Sequence, residues 1–496
     1  MPILKYSAQI VLAGFAFSSA CVLAQHENHE QSQSGTRVTP SHQSQQHLQP
    51  RQHLPLLGES PPELGRRYMP PVTLPSSVVD TSITDSVTNE IGHHLTLDDL
   101  IGFAVSNNPT LRQAQLQITG ELGKAIQAGL YPNPTVRYTA EQIGVGGTAG
   151  EFHGGIFSQE FVTAGKLRLS RAKYLQRVKV AEANAVAQQY RVCNDVRIHF
   201  YNTLALQRQV VIQHELVKAA EDSAVTAREA YNMGQANAAD IRRSNVELQK
   251  ARLKLLETQN MFRQSQRHIS ALTGADITMS FLVGELESTP IRIDFETLLA
   301  NLLESSPEMI AARAKAQVDR ITVQRERAEP IPNLTLEGGA GYNFEADETV
   351  AVAGVSLKLP MFDRNQGAIQ QAQADLARQC AEIQRLELRL KGDLSQQFER
   401  YLTAVQHVSQ YEQTILPELK ETYRLLLESY QDNRTDWNEV LMAQTDYFDS
   451  RMEYTDWLAK MRYAEVLIDG MLLQGGLMAA DGVAPAGHID AVPKPR

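Results

Sequence analysis

The side chains in this 496-residue chain with the clearest chemical potential are carboxylates that recur beside a repeated turn. Tyr231, Gly234 and Asp240 return as Tyr430, Asn433 and Glu439, each 199 residues later. Taken singly, Asp240 and Glu439 read as solvated helix residues near a turn. Taken as a pair, they put like charge at matching points of a duplicated element. A second group is His26, His29, His42, His47 and His53, imidazoles in a Gln- and Ser-rich stretch. Such side chains could capture zinc, copper or nickel ions, but their spacing is irregular, and spacer sequence explains them equally well. His199, His214, His268 and His407 fall in helical runs with no partner at ligand spacing, and read as surface or packing residues.

Catalytic chemistry is not encoded. HExxH, GxSxG and phosphate-loop patterns are missing from the sequence. The run Gly144-Val145-Gly146-Gly147-Thr148-Ala149 resembles a dinucleotide fingerprint but lies between two strand-like segments, where that fingerprint has no mechanism. Three cysteines form no CxxC pair, and Cys193 and Cys380 are not equivalent positions of the repeat, so no disulfide is implied. No enzyme activity and no cofactor are expected. With a net charge of −10 the chain lacks the basic face that phosphate binding requires, which argues against a nucleic-acid partner.

The elements that must position these residues are duplicated. Pro109, Pro132 and Pro134 recur 198 residues later as Pro307, Pro330 and Pro332. A period that long is no solenoid or propeller repeat; it is a half-molecule. The first half spans 95–290 and the second 291–474. Thr96, followed by Asp98 and Asp99, predicts a helix N-terminus, and Asp294 opens the second half in the same style. Each opening helix ends before its Pro-x-Pro pair. Residues 135–162 and 333–361 then alternate with period two. Leu334, Leu336, Ala340, Tyr342 and Phe344 share one face, against Thr335, Glu337, Asn343 and Glu345 on the other. Val136, Tyr138 and Ala140 likewise oppose Arg137, Thr139 and Glu141. Strands of this length with one apolar face suit a membrane β-barrel, yet four cannot close one, so several protomers must contribute.

From Gly165 to about Tyr231 the chain carries no proline and is rich in helix formers. At 1.5 Å per residue this is a rod of about 100 Å, longer than any compact domain needs. Gly234 breaks it and a return run follows to about Leu272. The second half repeats the plan from about Gln366 through Asn433 to about Leu473, with Pro417 predicting a kink. The fold class is therefore mainly α with a small β part, each half ordered helix, strand, strand, helical hairpin. Residues 1–24 read as an export signal with cleavage after Ala24; processing at a lipidated Cys21 is the competing reading. Residues 25–94 and 475–496 have the composition of a disordered arm and a flexible tail.

The doubled element order, the Pro-x-Pro boundaries and the two tips, Tyr231-Asn232-Met233-Gly234…Asp240-Ile241 and Tyr430…Asn433…Glu439-Val440-Leu441, resemble the TolC family of outer-membrane efflux channels over about residues 95 to 474. The resemblance implies a homotrimer, with a 12-stranded barrel in outer-membrane lipid joined to a long periplasmic α-helical barrel. It also implies a periplasmic adaptor and an inner-membrane pump as partners. The overall look is that of members serving heavy-metal efflux, which implies a proton-driven metal pump. Drug efflux and type I protein secretion are the family's other outlets, and a pore-less periplasmic coiled-coil scaffold is the reading outside it. Tyr231, Gly234 and Asn433 fall at the hairpin tips, where adaptor or pump would dock. Glu439 falls on the first acidic position of the family's charged mouth, while the second is Met442. Tyr430 and Asp240 match two members of the family's closing latch. The latch arginine position is Thr435, with Arg434 one residue away.

Overall fold

The computed structural model describes residues 94–143, 151–234, 236–277, 281–289, 294–432 and 434–482. The export signal, Cys21, the arm histidines from His26 to His53, the Gly144–Ala149 run and Asn433 lie outside the described residues.

Each opening helix is two helices rather than one. Helix α1 (Leu97–Asn107) starts at Thr96, whose hydroxyl caps Asp99 N while Asp99 Oδ2 accepts from Thr96 N at 2.9 Å, a reciprocal cap. It stops because Pro109 disfavours a helical residue before it. Asn108 then caps α2 (Pro109–Ala128), accepting from Thr110 N at 2.9 Å, with Pro109 first in the helix where no N–H is needed. The second half repeats the break: α5 (Phe295–Ser305) is capped by Asp294, and α6 (Pro307–Ala328) begins at Pro307.

The strands β2 (Thr135–Glu141), β3 (Phe152–Phe161), β5 (Leu334–Asn343) and β6 (Glu348–Leu357) form one antiparallel sheet in the order β2-β3-β5-β6. The two hairpins join through β3 and β5, so each half supplies one outer edge. Register places Val136 opposite Phe157, Phe161 opposite Leu334 and Leu336 opposite Val355. One face thus carries exposed Val136, Tyr138, Phe157, Leu336, Tyr342, Val355 and Leu357. The other carries Arg137, Glu160, Glu337 and Ser356, with Arg137 3.9 Å from Glu337. On that polar face the Phe152 ring lies across Gly154 and Gly341, and a Cβ at either would come within 2.4 Å of it. A separate short pair, β1 (His94–Leu95) with β4 (Phe281–Leu282), runs parallel.

Helix α3 (Lys166–Asn232) is an unbroken 67-residue rod, about 100 Å long. Gly234, at φ +75°, turns the chain back into α4 (Ala238–Thr273); that left-handed angle is cheap only for glycine. The main core wraps the middle of the rod, where Val192, Val196 and Phe200 meet Ile269, Leu272, Leu458 and Met461. In the second half the rod is interrupted. Helix α7 (Gln366–Gln410) passes through a π-turn, Tyr411–Ile415, into α8 (Leu416–Gln431), and α9 (Trp437–Asp469) returns. The kink expected at Pro417 is this π-turn. Widening the turn moves the carbonyls that the pyrrolidine ring would strike and spares the missing N–H.

Residues 475–482, within the stretch whose composition suggested a flexible tail, are held against α3. Asp195 accepts from Gly475 N at 3.2 Å and Gly476 N at 2.7 Å, Gln188 donates to Gly476 O at 3.0 Å and Met478 O at 2.9 Å, and Asn184 donates to Asp481 O at 2.8 Å. These side chains lie on one face of α3 and bond to backbone, which no compositional signal reveals.

Candidate functional site at the helical tips

At the first tip Asn237 caps α4, its side chain accepting from Ala239 N at 2.8 Å and Asp240 N at 3.1 Å, while Asp240 Oδ2 accepts from Asn237 N at 3.0 Å. Asp240 is thereby fixed in the first helical turn, where a carboxylate complements the dipole. Tyr231 and Met233 are exposed around the Gly234 turn.

At the second tip Asp436 precedes α9 and Glu439 lies in its first turn. Glu439 is exposed, accepting from the Thr435 hydroxyl. The Tyr430 ring packs on Trp437 with centroids 4.6 Å apart. Burial, then the nearby charges of Asp436 and Asp240, push the Tyr430 hydroxyl above its ordinary pKa. The Asp240 charge, from the other half, therefore acts on the Tyr430 hydroxyl. Arg434 is not part of that group: it pairs with Asp432 of its own turn at 3.3 Å, and its backbone N donates to Ser429 O at 2.8 Å.

Sequence reasoning missed the residues that cross between the hairpins. Arg243 of α4 donates to Asn438 of α9, and Lys254 Nζ stands 3.0 Å from Asp449 Oδ1. The usable signal was a constant separation of 195 residues between each pair, which the 199-residue repeat obscured. Further up, Arg451 meets Glu215 at 2.5 Å and Gln209 donates to Asp456 at 2.6 Å. Beside the π-turn, Tyr411 donates to Glu453, which raises its pKa to about 12. His407 stacks on Trp457 at 3.9 Å between ring centroids, with Lys460 over the same indole ring at 4.1 Å. His199 and His268, which sequence spacing left without partners, stack at 5.4 Å across α3 and α4. Burial, with the neighbouring His268, lowers the His199 pKa. Among the described residues, no group of three or more His, Cys, Asp or Glu could hold a metal ion.

Chemically the tips offer charge: carboxylates on two turns, a tyrosine packed on a tryptophan at the second, and Arg243 and Lys254 reaching across. A family model described as outer membrane efflux protein matches residues 100–275 and 298–472. The cobalt-zinc-cadmium resistance protein CzcC of Cupriavidus metallidurans is 26% identical over 407 residues, covering 81% of this chain and 96% of that protein. The toluene efflux pump outer membrane protein TtgF of Pseudomonas putida is 22% identical over 388 residues, 74% of each. Solved structures of CusC and of the Vibrio cholerae outer membrane protein VceC each superpose with a TM-score of 0.64 at 17% identity. They cover 76% of this chain, and 92% and 96% of theirs.

Proposed function

The chain belongs to the outer membrane efflux protein family, and on that premise we propose that it is the channel subunit of a tripartite efflux system. Three copies close their sheets into a 12-stranded barrel, and their rods continue it as a periplasmic tunnel. The channel is passive; an inner-membrane pump supplies energy through an adaptor that docks at the tips. The observation that carries this reading is the four-stranded sheet. One face carries exposed Val136, Tyr138, Phe157, Leu336 and Val355, the other carries Arg137, Glu160 and Glu337 around Phe152 and Ile156, and its edges, β2 and β6, have no strand partner among the described residues. In lipid such edges leave backbone groups unsatisfied, and closure with further copies satisfies them.

Heavy-metal cations are the favoured cargo, supported by the likeness to CzcC and by the acidic tips. Glu439, repeated around a three-fold axis, attracts cations and opposes anions. Fractionation of cells tests the channel: the protein should enter the outer membrane as a trimer resistant to mild detergent. Leu336→Arg, on the outer face of β5, should lower that yield through a cost of about 2–4 kcal/mol per site near mid-bilayer. Recovery of the unaltered chain as a water-soluble monomer would overturn the reading. Cells lacking the protein should become sensitive to cobalt, zinc or cadmium; sensitivity to toluene alone would shift the cargo to organic solvents.

A further inference from the structure

The two halves treat one groove of the repeat differently. In the first, the backbone of the tail lies across α2 and α3. Thr110 Oγ1 donates to Gly476 O at 2.9 Å and Gln117 Nε2 to Asp481 O at 3.4 Å, beside the α3 side chains that hold the same stretch. In the second half the counterparts of Thr110 and Gln117, 198 residues on, are Glu308 and Lys315 of α6. Both line a cavity of about 550 Å³ between α6 and α7, with Asn184 of α3 and Asp481 of the tail at its margin. One groove is thus filled by extended peptide, and its counterpart is open among the described residues.

The cavity has an apolar floor and a charged rim. Ala187, Ala311, Ala312 and Leu386 at the floor are buried. The rim carries four cations, Lys315, Arg378, Arg385 and Arg389, against three carboxylates, Glu308, Glu382 and Asp481. That is a local surplus of positive charge in a chain of net charge −10. Arg385 is committed, donating to Glu382 from two nitrogens at 2.7 and 2.6 Å. The others are not. Lys315 makes no hydrogen bond or ion pair among the described residues. Arg378 gives one nitrogen to Asp375 at 3.0 Å and Arg389 gives one to Glu308, so both guanidinium forks keep donors for a further acceptor.

We propose that the α6–α7 groove docks an acidic peptide in extended conformation, a segment of a periplasmic partner, with its carboxylates against Lys315, Arg378 and Arg389 and its backbone over the alanine floor. The volume is that of an ordinary ligand site and suits a few residues of chain. The chain's own residues 483–496 do not match it, since they carry one acidic side chain, Asp490, against Lys494 and Arg496. The tips are a separate surface, because about 60 Å of helix lies between Arg389 and Gln431. The periplasmic setting rests on the channel reading above; the chemistry of the groove does not.

The test is fluorescence anisotropy of a labelled Gly-Glu repeat peptide with the purified full-length protein in detergent. At about 0.1 M salt the peptide should bind, and its Gly-Gln analogue should bind about tenfold more weakly. At about 1 M salt, where charges act over only about 3 Å, that advantage should disappear. Lys315→Glu, at a position with no bond to break, should weaken binding about tenfold and favour a Gly-Lys repeat peptide instead. Arg378→Gln should cause a smaller loss. Circular dichroism establishes that each variant is folded. Equal binding of the Gly-Glu and Gly-Gln peptides, or unchanged binding by folded Lys315→Glu, would overturn the docking site. Displacement by an equal concentration of inorganic phosphate would reduce the groove to an unspecific anion trap, and binding seen only after removal of residues 483–496 would make the chain's own end the occupant; either result overturns a partner site. Loss of peptide binding leaves the channel standing, and failure of the protein to enter the outer membrane would sink the channel reading without touching binding measured in solution.

Discussion

The two halves share an element order but not a mechanical character. In the first, α3 runs 67 residues without a break and buries side chains from Lys166 to Ala230. In the second, the corresponding path is α7, a π-turn and α8, and α8 buries none. One rod is a column fixed along its length; the other is an arm with a joint near its middle. The joint is furnished with specific contacts, Tyr411 to Glu453 and His407 on Trp457, whereas the same level of α3 is continuous helix. Duplication therefore supplied two equal scaffolds, and sequence divergence left one rod continuous and the other interrupted. A π-turn costs backbone hydrogen-bond geometry and persists where a local function uses it.

The largest test of this contrast is in packing. Phe200 of α3 is 2% exposed in the main core and Leu425 of α8 is 47% exposed. Phe200→Ala should destabilise the protein by about 3–5 kcal/mol, while Leu425→Ala should stay within about 0.5 kcal/mol; thermal unfolding of the two variants measures the difference. Comparable losses would mean that α8 is packed as firmly as the column. Next comes transfer of the joint. The tip separation of 199 residues makes Lys218 of α3 the counterpart of Pro417. Lys218→Pro should cost about 3 kcal/mol, because an α-turn has no slack for the ring. Pro417→Ala should leave stability equal or higher, since the π-turn already absorbs the proline. Equal costs at both positions would erase the distinction between column and arm.

Much of this plan was legible from the chain alone. The repeated prolines, the period-two runs and Gly234 delivered the halves, the strands and the first tip, because each is a local rule: a missing N–H, an alternating pleat, a positive φ. The split at Pro109 was equally local, but the helical pattern on either side masked it. The π-turn was half legible, since Pro417 marks a break without stating its form. Long-range pairing was not legible. Nothing near Asp195 or Gln188 signals that they receive the backbone of residues 475 to 478. Nothing local joins Arg243 to Asn438, or His199 to His268, because those contacts follow from how rods lie against each other. Arg434, one residue from the latch position, pairs with Asp432 of its own turn, a local choice that the neighbouring sequence leaves open.

The joint also has a pH signature. Tyr411 is held neutral by donating to Glu453, with its pKa raised from 10.0 to about 12. A group raised in the folded state contributes fully below its unfolded pKa and loses that contribution as pH climbs through the folded one. The tie should therefore be intact below about pH 10 and lost between about 10 and 12. Tyrosinate absorbance should show a late-titrating group of hydroxyls that includes Tyr411 and Tyr430, and Tyr411→Phe should reduce that late amplitude by one hydroxyl without changing the fold. A late amplitude unchanged by the substitution would place the tie elsewhere.

The smallest energetic effect falls at the tip, where the two halves meet on nearly equal terms. Glu439 is solvent-exposed and bonded to Thr435, so Glu439→Gln should alter stability by less than about 0.5 kcal/mol. Its consequence lies in the field. In the proposed trimeric channel, removing this carboxylate from each subunit lowers the local cation concentration, and the reversal potential in a salt gradient should move toward zero. Asp240 provides the matching control from the column side. Its carboxylate is committed to the Asn237 cap, so Asp240→Asn should weaken the start of α4 by about 1 kcal/mol and shift selectivity less than Glu439→Gln does. A larger selectivity change at Asp240 would reverse the assignment, making the fixed half, rather than the jointed one, the carrier of the mouth's charge.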